Sequence, residues 1–280
     1  MARADDYRRE SRARWGAAAT GWERRRDAMR RITMPVSAWM VDAIDPQPGQ
    51  TVLDLAAGLG DTGYLAYELI QPGGELITSD FAPEMLTAAQ RRAPEHGNIR
   101  FRQIDLSTPI DQPTATLDGV LCRWGYMLLD DPEFALRETR RILKQDAAVA
   151  LAAWTGPDDN LWSVLPIRIL QDRGILEPTA PGPGQFAWAD PNAIEDTMAT
   201  AGFLEPEIEA VDFTMRYADV DDWWVAQTQM STRTADADKG LDFATRSDVL
   251  AELEDAAKPF TQADDSLIIP ARTWIASATA

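Results

Sequence analysis

The chain has 280 residues, and its 27 basic and 45 acidic side chains give it a formal net charge of −18. This acidity argues against binding along a nucleic-acid backbone, because such binding needs a basic face. The single cysteine, Cys122, and the single histidine, His96, exclude a disulfide framework, a cysteine-based zinc cluster and a histidine-driven triad.

Residues 1–47 are predicted to form a helical arm, or lid, over the rest of the protein. Residues 1–31 contain ten arginines and five acidic residues, so this segment carries +5 and the remainder −23. The arm is interpreted as a basic lid over the acidic body, as a segment that attracts an anionic ligand, or as an amphipathic surface helix whose arginines pair with the body. An RNA-binding arm has less support, because no larger basic patch accompanies it.

Residues 48–156 alternate short apolar runs with helical patterns. The predicted strands are 51–57, 75–80, 99–106, 116–124 and 147–154, and the predicted helices are 60–70, 83–93 and 132–144. This alternation predicts an α/β core with a doubly wound parallel sheet and helices on both faces. Ligands of such sheets bind outside the carboxyl ends of the strands. The site is therefore expected near residues 56–61, 80–81, 105–106, 122–126 and 154–156.

The second half of the chain is less regular. Residues 157–190 are rich in proline, glycine and tryptophan and are interpreted as a cap insertion, and residues 191–217 return to the core with a helix at 191–203 and a strand at 205–217. Residues 218–264 are predicted to form a second, helical cap. A final core strand, 266–278, lies within the last segment, 265–280.

A glycine pattern follows the first predicted strand. Gly58, Gly60 and Gly63 form Gly-x-Gly-x-x-Gly at the start of a predicted helix, where the backbone can approach a ligand closely. Asp80 ends the second strand, 20 residues after Gly60, where an acid can hold ribose hydroxyls. The pattern indicates an adenosine-containing ligand without choosing among such ligands.

Three further acids bear on that choice: Asp54, Asp61 and Asp105. A dinucleotide would place its diphosphate at this helix start, where an aspartate repels it by about 1–4 kcal/mol. S-adenosylmethionine has no phosphate and carries a sulfonium and an ammonium group instead. The acids around the glycine loop therefore favour S-adenosylmethionine over NAD.

At five places the sequence resembles the class I S-adenosylmethionine-dependent methyltransferases, and among them the branch related to ubiquinone/menaquinone C-methyltransferases. The segments that carry this resemblance are VLDLAAGLGDTG (52–63), ITSDFAPEML (77–86), FRQIDL (101–106), DGVLCRWGYMLLDDP (118–132) and ALRETRRILK (135–144). The resemblance implies a Rossmann-like, mostly parallel seven-stranded sheet with an antiparallel last strand, covered by the arm and the insertions. It also implies S-adenosylmethionine as the cofactor.

The resemblance also implies roles for individual residues. Ala56, Gly58 and Gly60 would follow the methionine part of the cofactor, and Asp80 would bind the ribose. Phe81 and Met85 would flank the adenine, and Asp105 and the Leu106 backbone would read its amino group. Cys122, Arg123 and Trp124 would lie beside the methionyl side and the acceptor. Ala56 departs from the glycine that many members have, although the branch named above tolerates alanine.

Simpler roles stay open for several of these residues. Asp54 either accepts hydrogen bonds from backbone amides of the loop or contacts the ligand. Asp61 is explained equally well as an acid favoured at a helix start, and Met85 as core packing. Arg123 pairs with an anionic ligand group or forms a structural ion pair. His96 is expected in an exposed turn.

Methyl transfer is an in-line displacement in which the enzyme mainly positions the acceptor. Tyr126 and Asp131 are the catalytic candidates, with Asp130 as a further possible base; capping of the following helix is the alternative for the two acids. Trp22, Trp124, Tyr126 and Trp154 are predicted to bind a small, apolar or aromatic acceptor. Of the ten tryptophans, seven lie in the arm and the two insertions and two end predicted strands, and together they suggest an enclosed, aromatic-lined site.

The remaining expectations concern class and location. No apolar run approaches the roughly 20 residues that span a bilayer, and residues 1–20 lack a signal-peptide core, so a cytoplasmic protein without a membrane span is expected. A nucleic-acid substrate and a metal site are not expected, and no oligomeric state is predicted. The alternatives to a methyltransferase are an NAD-binding oxidoreductase and a cofactor-binding protein that has lost catalysis.

Overall fold

The computed structural model describes residues 2–95, 97–178 and 182–280. His96, for which an exposed turn is predicted, and residues 179–181 of the first predicted insertion lie outside these ranges. The strands are β1 (Thr51–Asp54), β2 (Glu75–Asp80), β3 (Ile99–Gln103), β4 (Leu117–Arg123), β5 (Leu143–Trp154), β6 (Leu204–Tyr217) and β7 (Leu267–Thr279). The helices are α1 (Ala2–Ile44), α2 (Asp61–Leu69), α3 (Pro83–Gln90), α4 (Pro132–Ile142), α5 (Leu161–Asp172), α6 (Pro191–Thr200), α7 (Val220–Met230), α8 (Thr232–Lys239) and α9 (Phe243–Ala257).

The described strands form one seven-stranded sheet in the order β3-β2-β1-β4-β5-β7-β6. The pairs from β3 to β5 are parallel, and β7 runs antiparallel between β5 and β6. The Rossmann-like fold class predicted from the sequence is therefore confirmed. The carboxyl ends of β1, β2 and β4 meet at one edge of the sheet, which is where a ligand is expected.

Local sequence signals explain where the elements begin. Asp131 accepts a hydrogen bond from the Phe134 amide at 2.8 Å and caps α4, which continues with Pro132 in its first turn. α3 begins in the same way with Pro83. The near-continuous apolar sequence of β4 is almost wholly buried, as expected for a central parallel strand.

Several boundaries differ from the prediction. β1 ends at Asp54 rather than at residue 57, because Ala56 has a φ of +49° that turns the chain out of the strand. β5 begins at Leu143, where the sequence pattern still predicts helix, and Leu143 pairs with Leu117 of β4. Short polar stretches at element ends carry little periodicity, so the sequence places them least well.

The helix α1 packs on core strands and on α7 of the second predicted cap. This helix thus contacts both the core and the second predicted cap, and the predicted division into arm, core and two caps stays a prediction. None of the described helices is both long enough and apolar enough to cross a membrane.

Candidate functional site

The loop between β1 and α2 carries the glycine pattern, and its glycines meet distinct structural demands. Gly58 and Gly60 have φ angles of +56° and +83°, in the left-handed region that glycine adopts without strain. Gly63 lies in the first turn of α2, where an added Cβ would lie 2.7 Å from the Asp54 carboxylate. The turn is therefore held tightly against the end of β1.

Two buried carboxylates hold this loop in place. Asp54 accepts a hydrogen bond from the Gly63 amide at 2.8 Å, and Asp80 accepts from the amides of Gly58 and Ala82, both at 2.9 Å. Burial raises the pKa of Asp54 to about 7 and that of Asp80 to about 6. Neither carboxylate is in direct ion-pair contact with a residue in the described part of the chain, although the positive charge of Arg123 favours the ionised form of Asp54. Both would gain from a positively charged ligand.

Asp61 is less available to a ligand than the sequence analysis expects. Its Oδ1 atom lies 2.6 Å from the Arg26 guanidinium and 3.9 Å from Nε of Arg30, and only 9% of its side chain is exposed. Both arginines belong to α1. The charge of Asp61 is therefore largely compensated within the protein, and the preference for a cationic ligand depends mainly on Asp54 and Asp80.

A cavity of about 460 Å³ lies where the glycine loop, the strand ends and α1 meet. This volume is within the usual range of small-molecule and cofactor sites. The residues predicted from the sequence that line it are Asp54, Ala56, Gly58, Asp61, Asp80, Phe81, Met85, Asp105, Leu106, Arg123, Trp124, Trp22, Asp130 and Asp131. The structure thus places these residues around the cavity, and the role of each one is a proposal.

Four predicted site residues do not line this cavity, and the structure corrects their placement. Cys122, which the resemblance places beside the methionyl side, is 0% exposed within β4. Tyr126 is buried under the rim, and its hydroxyl lies 2.7 Å from Oγ1 of Thr139. Trp154 is buried behind Trp124, with ring centroids 4.3 Å apart. Gly60 is the residue before α2, and a Cβ at this position would lie 2.7 Å from the Tyr64 ring, so its demand is one of packing.

Arg123 and Trp124 form one unit at the end of β4. The guanidinium carbon of Arg123 lies 4.7 Å from the ring centroid of Trp124, and its Nη1 donates to Oγ1 of Thr33 at 2.5 Å. Burial lowers the pKa of Arg123, while Asp61 and Asp54 oppose that change. Trp124 has a φ of +61° and donates its indole N–H to Thr273 at 2.9 Å. Such strain in a bulky residue is typical of functional sites.

Sequence reasoning missed most of the wall that α1 contributes. The α1 residues that line the cavity are Tyr7, Arg8, Ser11, Trp15, Trp22, Arg26 and Met29. Trp15, Trp22, Arg26 and Met29 are spaced by seven, four and three residues, which places them on one helical face. That spacing is the signal in the sequence for this wall, of which the sequence analysis predicts only Trp22.

The tryptophans of the two predicted caps do not line this cavity, contrary to expectation. Trp162, Trp188, Trp223 and Trp224 are buried in the main hydrophobic core. Among the described residues, those that line the cavity extend no further along the chain than Phe134. The tryptophans of the cavity wall therefore come from α1 and from the end of β4. Within the described ranges, no group of three or more candidate ligand residues is arranged to hold a metal ion.

Comparison with known proteins agrees with this geometry. A family model described as a methyltransferase domain matches residues 53–151. The chain is 31% identical over 173 residues to a demethylmenaquinone methyltransferase from Thermus thermophilus, covering 58% of this chain and 77% of that protein. It is 27% identical over 183 residues to a nocamycin O-methyltransferase from Saccharothrix syringae, covering 61% of this chain and 65% of that protein.

Among solved structures, the YcgJ protein from Bacillus subtilis shares the fold. Its TM-score is 0.55 at 19% identity, and the alignment covers 87% of this chain and 97% of that one. The chain spans just under two thirds of the nocamycin enzyme, so that enzyme's acceptor is not carried over. The sequence match, the sheet order and the acid-flanked glycine loop agree, and the chain belongs to the class I S-adenosylmethionine-dependent methyltransferases, in the branch similar to the ubiquinone/menaquinone C-methyltransferases.

Proposed function

We propose that this chain transfers the methyl group of S-adenosylmethionine to a small apolar or aromatic molecule by in-line displacement in the cavity under α1. The observation that carries the proposal is the composition of that cavity. Its lining combines the glycine loop and the buried carboxylates Asp54 and Asp80 with the rings of Trp22 and Trp124. One cavity thus combines a polar cofactor side with an apolar acceptor side.

The residues present fit the cofactor. When bound, S-adenosylmethionine supplies a methyl group activated by a sulfonium. Asp54 and Asp80 suit a ligand with positive charge, because both are buried and form no ion pair with a described residue. Arg123 suits the carboxylate at the amino-acid end, since burial would make an unpaired guanidinium costly.

Further cofactor contacts follow from the family resemblance. We assign the ribose to Asp80, the flanks of the adenine to Phe81 and Met85, and its amino group to Asp105 with the backbone of Leu106. Ala56 and Gly58 would follow the methionine part, while Gly60 shapes the turn. Each of these residues except Gly60 lines the cavity, which supports the assignment.

The acceptor side is assigned to Trp22 and Trp124, together with Trp15 and Met29 of α1. These side chains exclude water from the reacting atoms and offer flat apolar faces, so a small aromatic or largely apolar acceptor fits best. The names of the two relatives above indicate different methyl acceptors, so the acceptor atom of this chain is a question for experiment. Nucleic acid is not proposed as a substrate.

A proton acceptor is needed only if the acceptor holds its proton until transfer. Asp131 stays the candidate, because it lines the cavity and uses only Oδ1 to cap α4. Tyr126 is not proposed again, since its hydroxyl is buried against Thr139. Positioning by α1 and β4 is therefore the main contribution that this chain would make to the reaction.

The test measures cofactor binding by calorimetry and S-adenosylhomocysteine formation by mass spectrometry with a panel of phenols, quinols and amines. Asp80→Asn is expected to weaken S-adenosylmethionine binding by about 1–3 kcal/mol, because the amide cannot accept both loop N–H groups and carries no charge. The matched control is Asp118→Asn. Asp118 also accepts a backbone amide, from Thr51 at 2.9 Å, but lies at the opposite end of the sheet.

Two results would overturn the proposal. One is strong binding of NADH with no binding of S-adenosylmethionine. The other is S-adenosylmethionine binding without product from any acceptor in the panel, which would favour a cofactor-binding protein that has lost catalysis. Equal loss of binding in both variants would remove the support that Asp80 gives to the ribose assignment.

A further inference from the structure

The long helix α1 is anchored very differently at its two ends. Residues 36–44 are part of the hydrophobic core: Val36, Met40 and Val41 are at most 1% exposed and Ile44 is 6% exposed. They pack with residues of β1 and α2 in one apolar cluster. Burial of this kind holds the segment firmly, since each such side chain contributes free energy in proportion to the apolar area removed from water.

Residues 6–31 are held by several ion pairs and by a small apolar contact, in which Trp15 and Trp22 pack against a cluster that contains Met85. Their fully buried apolar side chains are few and mostly small, namely Ala18, Ala19 and Met29. Ion pairs join this segment to four different parts of the protein. They are Arg8–Asp105 at 3.5 Å, Glu23–Arg91 at 2.6 Å, Arg25–Asp222 at 2.6 Å, Arg26–Asp61 at 2.6 Å, Asp27–Arg92 at 3.7 Å and Arg30–Asp61 at 3.9 Å.

Pro35 lies between the two parts of the helix. Proline has no backbone N–H, so the helical hydrogen bond from residue 35 to the carbonyl of residue 31 is missing. The helix is therefore weakest at the point where apolar anchoring gives way to ionic docking. A hinge at this point would leave residues 36–44 in the core while residues 6–31 move.

The ionic part of α1 is also the part that covers the cavity. Trp15, Trp22, Arg26 and Met29 all line it, so a ligand bound there lies between this segment and the strand ends. Arg26 links the segment directly to Asp61, the first residue of α2 after the glycine loop. A ligand in the cavity would therefore stabilise the docked position of residues 6–31 by mass action.

From these contacts we propose that residues 6–31 form an electrostatically latched lid that undocks about Pro35 to admit the cofactor and closes over it. The inference rests on the proposed function for the identity of the ligand, but the latch and the hinge are properties of the unliganded chain. Opening breaks these ion pairs, while the large apolar side chains that it uncovers, Trp15, Trp22 and Met29, already line the cavity. Salt should therefore favour opening of this segment alone.

The experiment is hydrogen–deuterium exchange of the full chain, read by mass spectrometry for peptides within residues 6–31 and 36–44. It compares about 0.1 M with about 1 M sodium chloride, which shortens the Debye length from about 10 Å to about 3 Å. Exchange within 6–31 is expected to accelerate severalfold, while residues 36–44 and the central strands stay unchanged. Saturating S-adenosylhomocysteine is expected to reverse the acceleration.

The matched variants are neighbours in the helix. Arg25→Gln removes the ion pair with Asp222 and the hydrogen bond to Gln229, neither of which lines the cavity. It is expected to accelerate exchange within 6–31 about fivefold at low salt, as suits one partly buried ion pair. The control is Arg24→Gln, which changes an exposed arginine that pairs with no described residue. Hydrogen exchange within 6–31 in this variant is expected to match that in the parent protein.

The outcomes separate the two proposals. Exchange within 6–31 that does not respond to salt, or that matches residues 36–44, overturns the lid even if the cofactor binds. Equal acceleration in both arginine variants also overturns it. If S-adenosylhomocysteine and S-adenosylmethionine fail to bind while salt and Arg25→Gln still open the segment, the proposed function fails and the latch stands.

Discussion

The ionisation of Asp54 makes cofactor affinity depend on pH, and the size of the effect follows from the structure. Burial raises the pKa of this carboxyl to about 7, and the group lines the cavity with one oxygen on the Gly63 amide. Below its pKa it is neutral and offers no charge to a sulfonium or ammonium group. Affinity for S-adenosylmethionine should therefore increase as the pH rises through this range.

Between pH values of about 6 and about 7, the ionised fraction of Asp54 rises from about one tenth to about one half. If the ligand binds only the ionised form, affinity rises about fivefold. Asp80, with a pKa of about 6, contributes about a further twofold over the same interval. The upper limit is kept near 7 because an α-amino group, such as that of the cofactor, begins to titrate near 8.

The assay is calorimetric titration with S-adenosylmethionine at the two pH values, in buffers of different ionisation enthalpy so that released protons are counted. Asp54→Asn keeps an oxygen for the Gly63 amide but cannot ionise. The variant should retain only the twofold dependence assigned to Asp80. A pH dependence that is the same in parent and variant, or no proton release in the parent, would refute the reasoning.

Two further predictions concern packing and the corrected catalytic candidate. Gly125→Ala should lower the free energy of unfolding by about 1–3 kcal/mol in chemical denaturation, because the added Cβ would lie 2.6 Å from Sγ of Cys122. The control is Gly156→Ala, which should leave the free energy of unfolding almost unchanged because a Cβ there meets nothing within 4 Å. Tyr126→Phe should cost about 0.5–1.5 kcal/mol of stability through the lost contact with Thr139. Its turnover should match the parent below the unfolding temperature, and a large loss of turnover in the folded variant would restore Tyr126 as a catalytic residue.

The fold could be predicted largely from the sequence because each core strand and helix carries a clear local signal. The apolar run of β4, the proline at the start of α3 and the glycine pattern before α2 all concern neighbouring residues. Strand ends were placed less well. The end of β1 depends on the left-handed conformation of Ala56, and this conformation cannot be predicted from an alanine in the sequence.

The site was predicted in part, and its errors share a cause. Tyr126 follows β4 by three residues and was expected at the rim. However, Trp124 has a φ of +61°, and the chain continues into a short turn that buries Tyr126 against Thr139. Side-chain direction after a strand depends on one backbone angle, which sequence spacing does not encode.

The charge of the site shows why a count of acids near a loop is an incomplete guide to ligand preference. Asp61 was expected to repel a diphosphate, but Arg26 lies 2.6 Å away from it, brought by a helix 35 residues earlier in the chain. The helix that covers the cavity thus also removes one of its negative charges. If that helix undocks, Arg26 no longer compensates the negative charge of Asp61. Asp61 should then attract a cationic ligand more strongly in the open site than in the closed one. Asp54 and Asp80 then supply the charge that persists after closure, since neither is in direct ion-pair contact with a described residue, although the charge of Arg123 acts on Asp54.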